Sequence, residues 1–178
     1  MRLPVAQLKE GENPFHFQTE RDGWLKDLGT HLAARGNRLT RPLDVSVALT
    51  RLEPDYYLKG TLRCAVELEC ARCAEHFPLD IDHPFELALV HSKAKPARAT
   101  ALSDESEELD VTFFEGPDLD LAPLLQEQFV LSLPYQALCR PECRGICQKC
   151  RKNLNQEACG CSQGNPISPF ACLQELRP

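Results

Sequence analysis

The chain has no long hydrophobic run; nothing approaches the roughly 18 consecutive apolar residues that a membrane helix requires. The opening residues, MRLPVAQLKEGENPF, lack the apolar stretch of a secretory signal, so the expectation is a cytoplasmic protein with no membrane association. Also missing are a P-loop, a G-x-S-x-G elbow, an H-E-x-x-H helix and a glycine-rich dinucleotide turn. Each absence removes a class of catalysis, and no small-molecule substrate suggests itself. Carboxylate pairs such as Asp80/Asp82 fall on a strand face that reads as exposed, where solvated charge is the ordinary explanation. The chain reads as a non-enzyme.

Positive charge is absent from residues 99–139, which carry nine acids (Asp104, Glu105, Glu107, Glu108, Asp110, Glu115, Asp118, Asp120 and Glu127) and no Lys or Arg. This stretch accounts for more than the whole net charge of −6 and leaves the remainder at +3. Charge alone therefore does not mark a nucleic-acid binder.

What the chain has in excess is cysteine, ten in 178 residues. A reducing compartment discourages disulfides, which leaves thiolate coordination of a metal as the usual explanation. A C-x-x-C turn aims two sulfurs at one point. Two such turns occur, Cys70/Cys73 and Cys147/Cys150, with two looser pairs, Cys139/Cys143 and Cys159/Cys161. Eight cysteines make two four-sulfur Zn²⁺ sites. Compactness groups Cys147, Cys150, Cys159 and Cys161 as one, leaving Cys70, Cys73, Cys139 and Cys143 as the other. A single cluster of Cys139, Cys143, Cys147 and Cys150 is the alternative, so one or two zinc ions per chain are expected. Cys64 reads as core and Cys172 is unassigned.

The fold class reads as α+β, an antiparallel sheet built on a long central hairpin, covered by helices and followed by a cysteine-rich insert. Leu43, Val45, Val47 and Leu49 alternate with polar or small residues, which predicts a half-buried strand. After a turn at Glu53-Pro54-Asp55, Tyr56, Leu58, Leu62, Cys64, Val66, Leu68 and Cys70 share one face; beyond Cys73, Phe77, Leu79, Ile81, Phe85, Leu87 and Leu89 do the same. Two long alternating runs around a short loop predict a hairpin with Cys70/Cys73 in its turn. A thioredoxin-like C-x-x-C normally opens a helix, so thioredoxin-like chemistry is disfavoured, and a thiol redox or zinc-transfer protein is the third and least favoured reading.

Helices are expected from Trp24 through Leu32, stopped by Gly36; over Leu121, Leu124, Leu125, Phe129 and Val130, capped by Asp118 or Asp120 and ended by Pro134; and after Ser168-Pro169, with Phe170, Leu173 and Leu176 on one side. Leu109–Phe114 suits a further strand, and residues 92–108 a surface loop. The chain divides into a core domain, 1–138, and a cysteine-rich segment with a terminal helix, 139–178.

The turn Leu68-Glu-Cys-Ala-Arg-Cys73 followed by Phe77, the Leu131-Ser-Leu-Pro134 helix end, Cys143-Arg-Gly-Ile-Cys147-Gln-Lys-Cys150 with Asn153-Leu-Asn155 and Cys159-Gly-Cys161, and the Asn165-Pro166 and Phe170–Leu176 tail together carry a resemblance. The chain resembles the YceD family of large ribosomal RNA subunit accumulation proteins over most of its length, least in the first 40 residues. The family usually has Gly after its C-P-x-C knuckle, where this chain has Gln148 and Arg151. The resemblance implies a bacterial-type cytosolic protein, also found in plastids, that supports accumulation of large-subunit ribosomal RNA and ribosome biogenesis. Its partners would be ribosomal RNA or large-subunit assembly proteins. Arg140, Arg144, Lys149, Arg151 and Lys152 are then the candidate phosphate contacts, although the same cations would also neutralise thiolate charge. A protein–protein adaptor that never touches RNA is the competing reading.

Overall fold

The structure, a computed structural model, describes residues 1–25, 36–52, 55–91 and 110–161. Its centre is a five-stranded sheet in the order β2-β3-β4-β5-β6, with β2 Glu12–Gln18, β3 Arg38–Leu52, β4 Asp55–Glu69, β5 His76–His91 and β6 Asp110–Phe114. Two three-residue strands, β1 (Arg2–Pro4) and β7 (Asp118–Asp120), pair apart from it.

The long strands follow from their alternation. One face of β3, β4 and β5 is apolar and buried, from Leu43 and Val45 through Leu58, Leu62 and Val66 to Leu87 and Leu89. Each such aliphatic side chain, fully buried, favours the folded state by about 1.5–3 kcal/mol before entropy is counted. Register follows from the pattern, because a slip of one residue would turn the whole apolar set to solvent. Gly60 interrupts the run opposite Phe85, where a Cβ would lie 2.8 Å from Val47 Cγ1. The phenyl ring fills the place a side chain would occupy.

The expected helical cover is corrected by the structure. Among the described residues there is one α-helix, α1, Leu121–Ser132. Asp120 caps it by accepting from the Ala122 N–H at 3.1 Å. Leu121, Leu124, Leu125 and Phe129 are buried against the sheet, but Val130 is half exposed. The rest of the cover is irregular chain and short strand: Leu3, Val5, Leu8, Trp24, Leu25 and Leu119 join the same core. Their apolar residues follow no helical period, and Gly23–Leu25 form only a 3₁₀ turn. The remainder of the helix expected through Leu32 lies outside the described residues, as do residues 53 and 54 of the expected turn, the loop 92–108, the terminal helix with its Asn165-Pro166 lead, and Cys172.

Strand direction also departs from the antiparallel expectation. Four strands pair antiparallel, but β6 runs parallel to β5. The chain between His91 and Asp110 is long enough to return to the same end of the sheet, which a hairpin turn is not.

Candidate metal centres

The β4–β5 hairpin ends in the Cys70–Cys73 turn. The Cys70 N–H donates to the Glu75 carbonyl at 2.9 Å, and the Ala74 N–H returns to the Cys70 carbonyl at 2.9 Å. Ala74 takes a φ of 58° to close the loop, a left-handed conformation that costs an L-residue about 1–2 kcal/mol. Cys139 and Cys143 arrive from the chain leaving α1. They are held by Ala71 N–H to Ala137 O, 2.8 Å, and by Arg72 Nη1 to Cys143 O, 3.0 Å. The Cys70 and Cys143 sulfurs are 3.8 Å apart, those of Cys73 and Cys139 3.7 Å, and all four lie within 4.8 Å of one another.

The second turn repeats the first. The Cys147 N–H donates to Lys152 O and the Arg151 N–H to Cys147 O, both at 2.8 Å, and Arg151 has the same φ of 58°. The knuckle thus forms without the glycine that usually follows it in the YceD pattern. Cys159 and Cys161 bring their sulfurs back to Cys147 and Cys150, again within 4.8 Å. The single cluster of Cys139, Cys143, Cys147 and Cys150 is not the arrangement seen.

Four cysteine sulfurs are a soft donor set. A tetrahedron with metal–sulfur bonds of about 2.3 Å places its sulfurs roughly 3.8 Å apart, the spacing found at Cys70/Cys143 and Cys73/Cys139. Each group can hold a metal ion.

The electrostatics ask for a cation. Burial opposes ionisation of Cys70, but N–H groups of Cys139, Arg72 and Cys73 outweigh it and lower the thiol to about 6. Burial and the crowding of Cys73, Cys143 and Cys70 push Cys139 up to about 12. In the second group the Cys150 and Lys149 N–H groups lower Cys147 to about 6, while the bond to Cys150 and burial push Cys161 up to about 12. Like charges crowded together separate their titrations in this way; a divalent ion removes the conflict. Cys64 behaves differently. It is fully buried in the core and desolvation pushes its thiol up to about 11.

Arg140, Arg144, Lys149, Arg151 and Lys152 are all exposed. Lys149 lies inside the second knuckle, Arg140 between Cys139 and Cys143, Arg144 between the two groups, and Arg151 and Lys152 just after Cys150; Lys152 pairs with Glu157 at 2.8 Å. Residues outside the two sets of four sulfurs join them: Glu75 Oε1 accepts from Asn153 Nδ2 at 3.2 Å and from Gln156 Nε2 at 3.0 Å. A separate apolar groove runs beside the first turn, between Leu68, Phe129, Val130, Leu131, Leu133 and Tyr135. Leu131 is 59% exposed there and Tyr135 fully so.

The family profile for "Large ribosomal RNA subunit accumulation protein YceD" matches residues 58–177. The chain belongs to the YceD family. The match spans all eight clustered cysteines and begins within β4. Two plant proteins named "Large ribosomal RNA subunit accumulation protein YCED homolog 1, chloroplastic" are similar. The one from Zea mays is 27% identical across 77% of this chain and 54% of its own length; the one from Arabidopsis thaliana is 26% identical across 76% and 49%. An uncharacterised protein of Mycobacterium tuberculosis is 29% identical across 65% of this chain and 53% of its own. The chain spans about half the length of the curated relatives it matches. No solved structure matches it. No described helix is long and apolar enough to cross a membrane.

Proposed function

We propose that this YceD-family chain is a non-catalytic, zinc-clasped factor that supports accumulation of large-subunit ribosomal RNA in the cytoplasm by binding it. Cys70, Cys73, Cys139 and Cys143 hold one Zn²⁺, and Cys147, Cys150, Cys159 and Cys161 hold the other. The observation that carries this is the meeting of eight sulfurs in two groups of four within a chain whose relatives are named for large-subunit ribosomal RNA accumulation. In this reading the core domain, 1–138, presents the segment 139–178, and the metals are scaffolds rather than reagents. Their thiolates leave each site at −2, so the neighbouring cations serve first to balance charge and then to meet phosphates.

RNA binding tests it. Arg140, Arg144, Lys149, Arg151 and Lys152 as phosphate contacts would give a log–log salt slope of about −4.5 for duplex RNA, by analogy with about −0.9 per contact in duplex DNA. Affinity for large-subunit RNA fragments should then fall a few hundredfold between about 50 and 200 mM salt. The paired reversal Arg144→Glu and Lys149→Glu should flatten that slope by about two. Binding indifferent to salt, or no binding, removes RNA contact from the account.

The second reading is a protein adaptor in ribosome assembly, favoured by the exposed groove at Val130, Leu131 and Tyr135 and by the net charge of −6. Crosslinking in cells separates the two. RNA adducts in residues 139–161 favour the first, and protein adducts alone favour the second.

A further inference from the structure

The two cysteine groups meet through backbone and side-chain hydrogen bonds. The Arg72 carbonyl, inside the first turn, accepts from the Ile146 N–H at 3.1 Å, and Gly145 is needed there because a Cβ would lie 2.9 Å from that oxygen. Glu75 receives Asn153 and Gln156. Asn155 reaches furthest: its Nδ2 donates to the Cys143 sulfur at 3.3 Å. The amide cannot be turned round, because its Oδ1 accepts from the Arg144 N–H at 2.8 Å while Nδ2 also donates to Asn153 Oδ1 at 2.9 Å. Asn155 belongs to the loop between Cys150 and Cys159, the loop a metal on the second group closes. Its donor ends on a sulfur of the first.

We infer that Asn155 is a positioning residue that couples the two metal centres, so that filling either raises the affinity of the other. The inference rests on the reading that each cysteine group binds a divalent ion. Closing the second loop fixes where Asn155 Nδ2 points, and a fixed donor holds the Cys143 thiolate in ligating geometry. Partners outside the ligand set typically alter metal affinity 10–100-fold. In the other direction, an ion on the first group fixes the position of Cys143 Sγ, and a fixed acceptor 3.3 Å from Asn155 Nδ2 steadies the loop that carries Asn155. Linkage makes the two effects equal.

The test loads the full chain with ¹¹³Cd²⁺, assigns the two NMR resonances with Cys70→Ser and Cys147→Ser, and follows each against rising chelator. Asn155→Asp keeps the acceptor for Arg144 but sets a carboxylate oxygen against the sulfur. Cys147→Ser empties the second centre and leaves Asn155 in place. Each should weaken the first centre about tenfold, and the double variant should be no weaker than Cys147→Ser alone, because both changes cut one link. An unchanged first centre in either variant, or losses that multiply in the double, overturns the coupling while leaving metal binding intact. Fewer than two ions on the unaltered chain sinks the metal reading itself, and the coupling with it.

Discussion

The first cysteine group joins positions 66 and 73 residues apart and tethers the central hairpin to the chain leaving α1; the second takes all four sulfurs from Cys147 to Cys161 and spans a short stretch of chain. Their turns share one backbone pattern, yet their surroundings differ. Cys70, Cys73 and Cys143 are buried in a small cluster of their own with Phe77 and Leu138 against it, whereas Cys150 is exposed and Cys159 and Cys161 are half-buried. With an ion in each group, one module would serve two mechanical tasks. A cross-link closing about 70 residues constrains the unfolded chain by roughly 4 kcal/mol, against about 3 kcal/mol for one closing about 15, if a metal clasp follows the relation for disulfides. The larger distinction is which part of the fold depends on the clasp.

Removing a ligand from each group should expose that distinction most strongly. Cys70→Ser should abolish one bound ion and lower the unfolding midpoint by about 10 °C or more, since each kcal/mol is worth about 2–4 °C in a chain of this size. Cys147→Ser should also abolish one ion but shift the midpoint by less than about 5 °C, because most of its constraint falls on a local loop that can open without unfolding the core. Calorimetry with metal analysis by mass spectrometry reads both quantities. Equal shifts would mean the two centres carry the core alike, and the contrast would be gone.

Acid should act on both groups in the same direction. Metal binding displaces protons from thiols, so affinity rises with pH through the range set by Cys139 and Cys161, both at about 12. It falls as pH drops, and below about 6 even Cys70 and Cys147 take up protons in competition with the ion. Folding linkage carries the same sign for those two thiols: their lowered values contribute stability above the ordinary thiol range, and it is lost as pH falls toward 6. A titration following bound metal and sheet signal together should show metal leaving near or below pH 6, with the core loosening as the first centre empties. Metal held unchanged to pH 4 would contradict thiolate ligation.

These centres were half legible in the sequence. Alternation at Leu43–Leu49, Tyr56–Cys70 and Phe77–Leu89 announces the three long strands, because a buried face leaves a period of two. The cysteine spacing offered two groupings, and only the geometry brings Cys139 and Cys143 to the hairpin turn. The strand at Glu12–Gln18 is obscured by Pro14 and His16, and three-residue strands carry no period at all. The parallel pairing of Val111 with Ala88 depends on where the connecting chain returns. Arg72, Glu75 and Asn155 are ordinary polar residues in the sequence. Their partners lie 69 to 81 positions away or across a loop, so no local pattern marks them.

The smallest effect sharpens the comparison furthest. Ala74 and Arg151 occupy the same left-handed position after their respective knuckles, and glycine would relieve the Cβ strain at either. Part of the gain is offset by the freer unfolded chain, leaving about 0.5–1 kcal/mol. If the first turn bears on the whole fold, Ala74→Gly should raise the unfolding midpoint by about 1–4 °C. Arg151→Gly relaxes a turn whose loop meets the hairpin turn but lies outside the main core, so the gain should appear as slower metal loss from the second centre, about two- to fivefold by chelator competition, with the midpoint within a degree or so of the unaltered chain. Removing that guanidinium would also take one contact from any RNA interface and flatten the salt slope by about one. A midpoint gain from Arg151→Gly as large as that from Ala74→Gly would show that the second knuckle bears on the core directly, and that exposure of Cys150 misleads about what the knuckle holds.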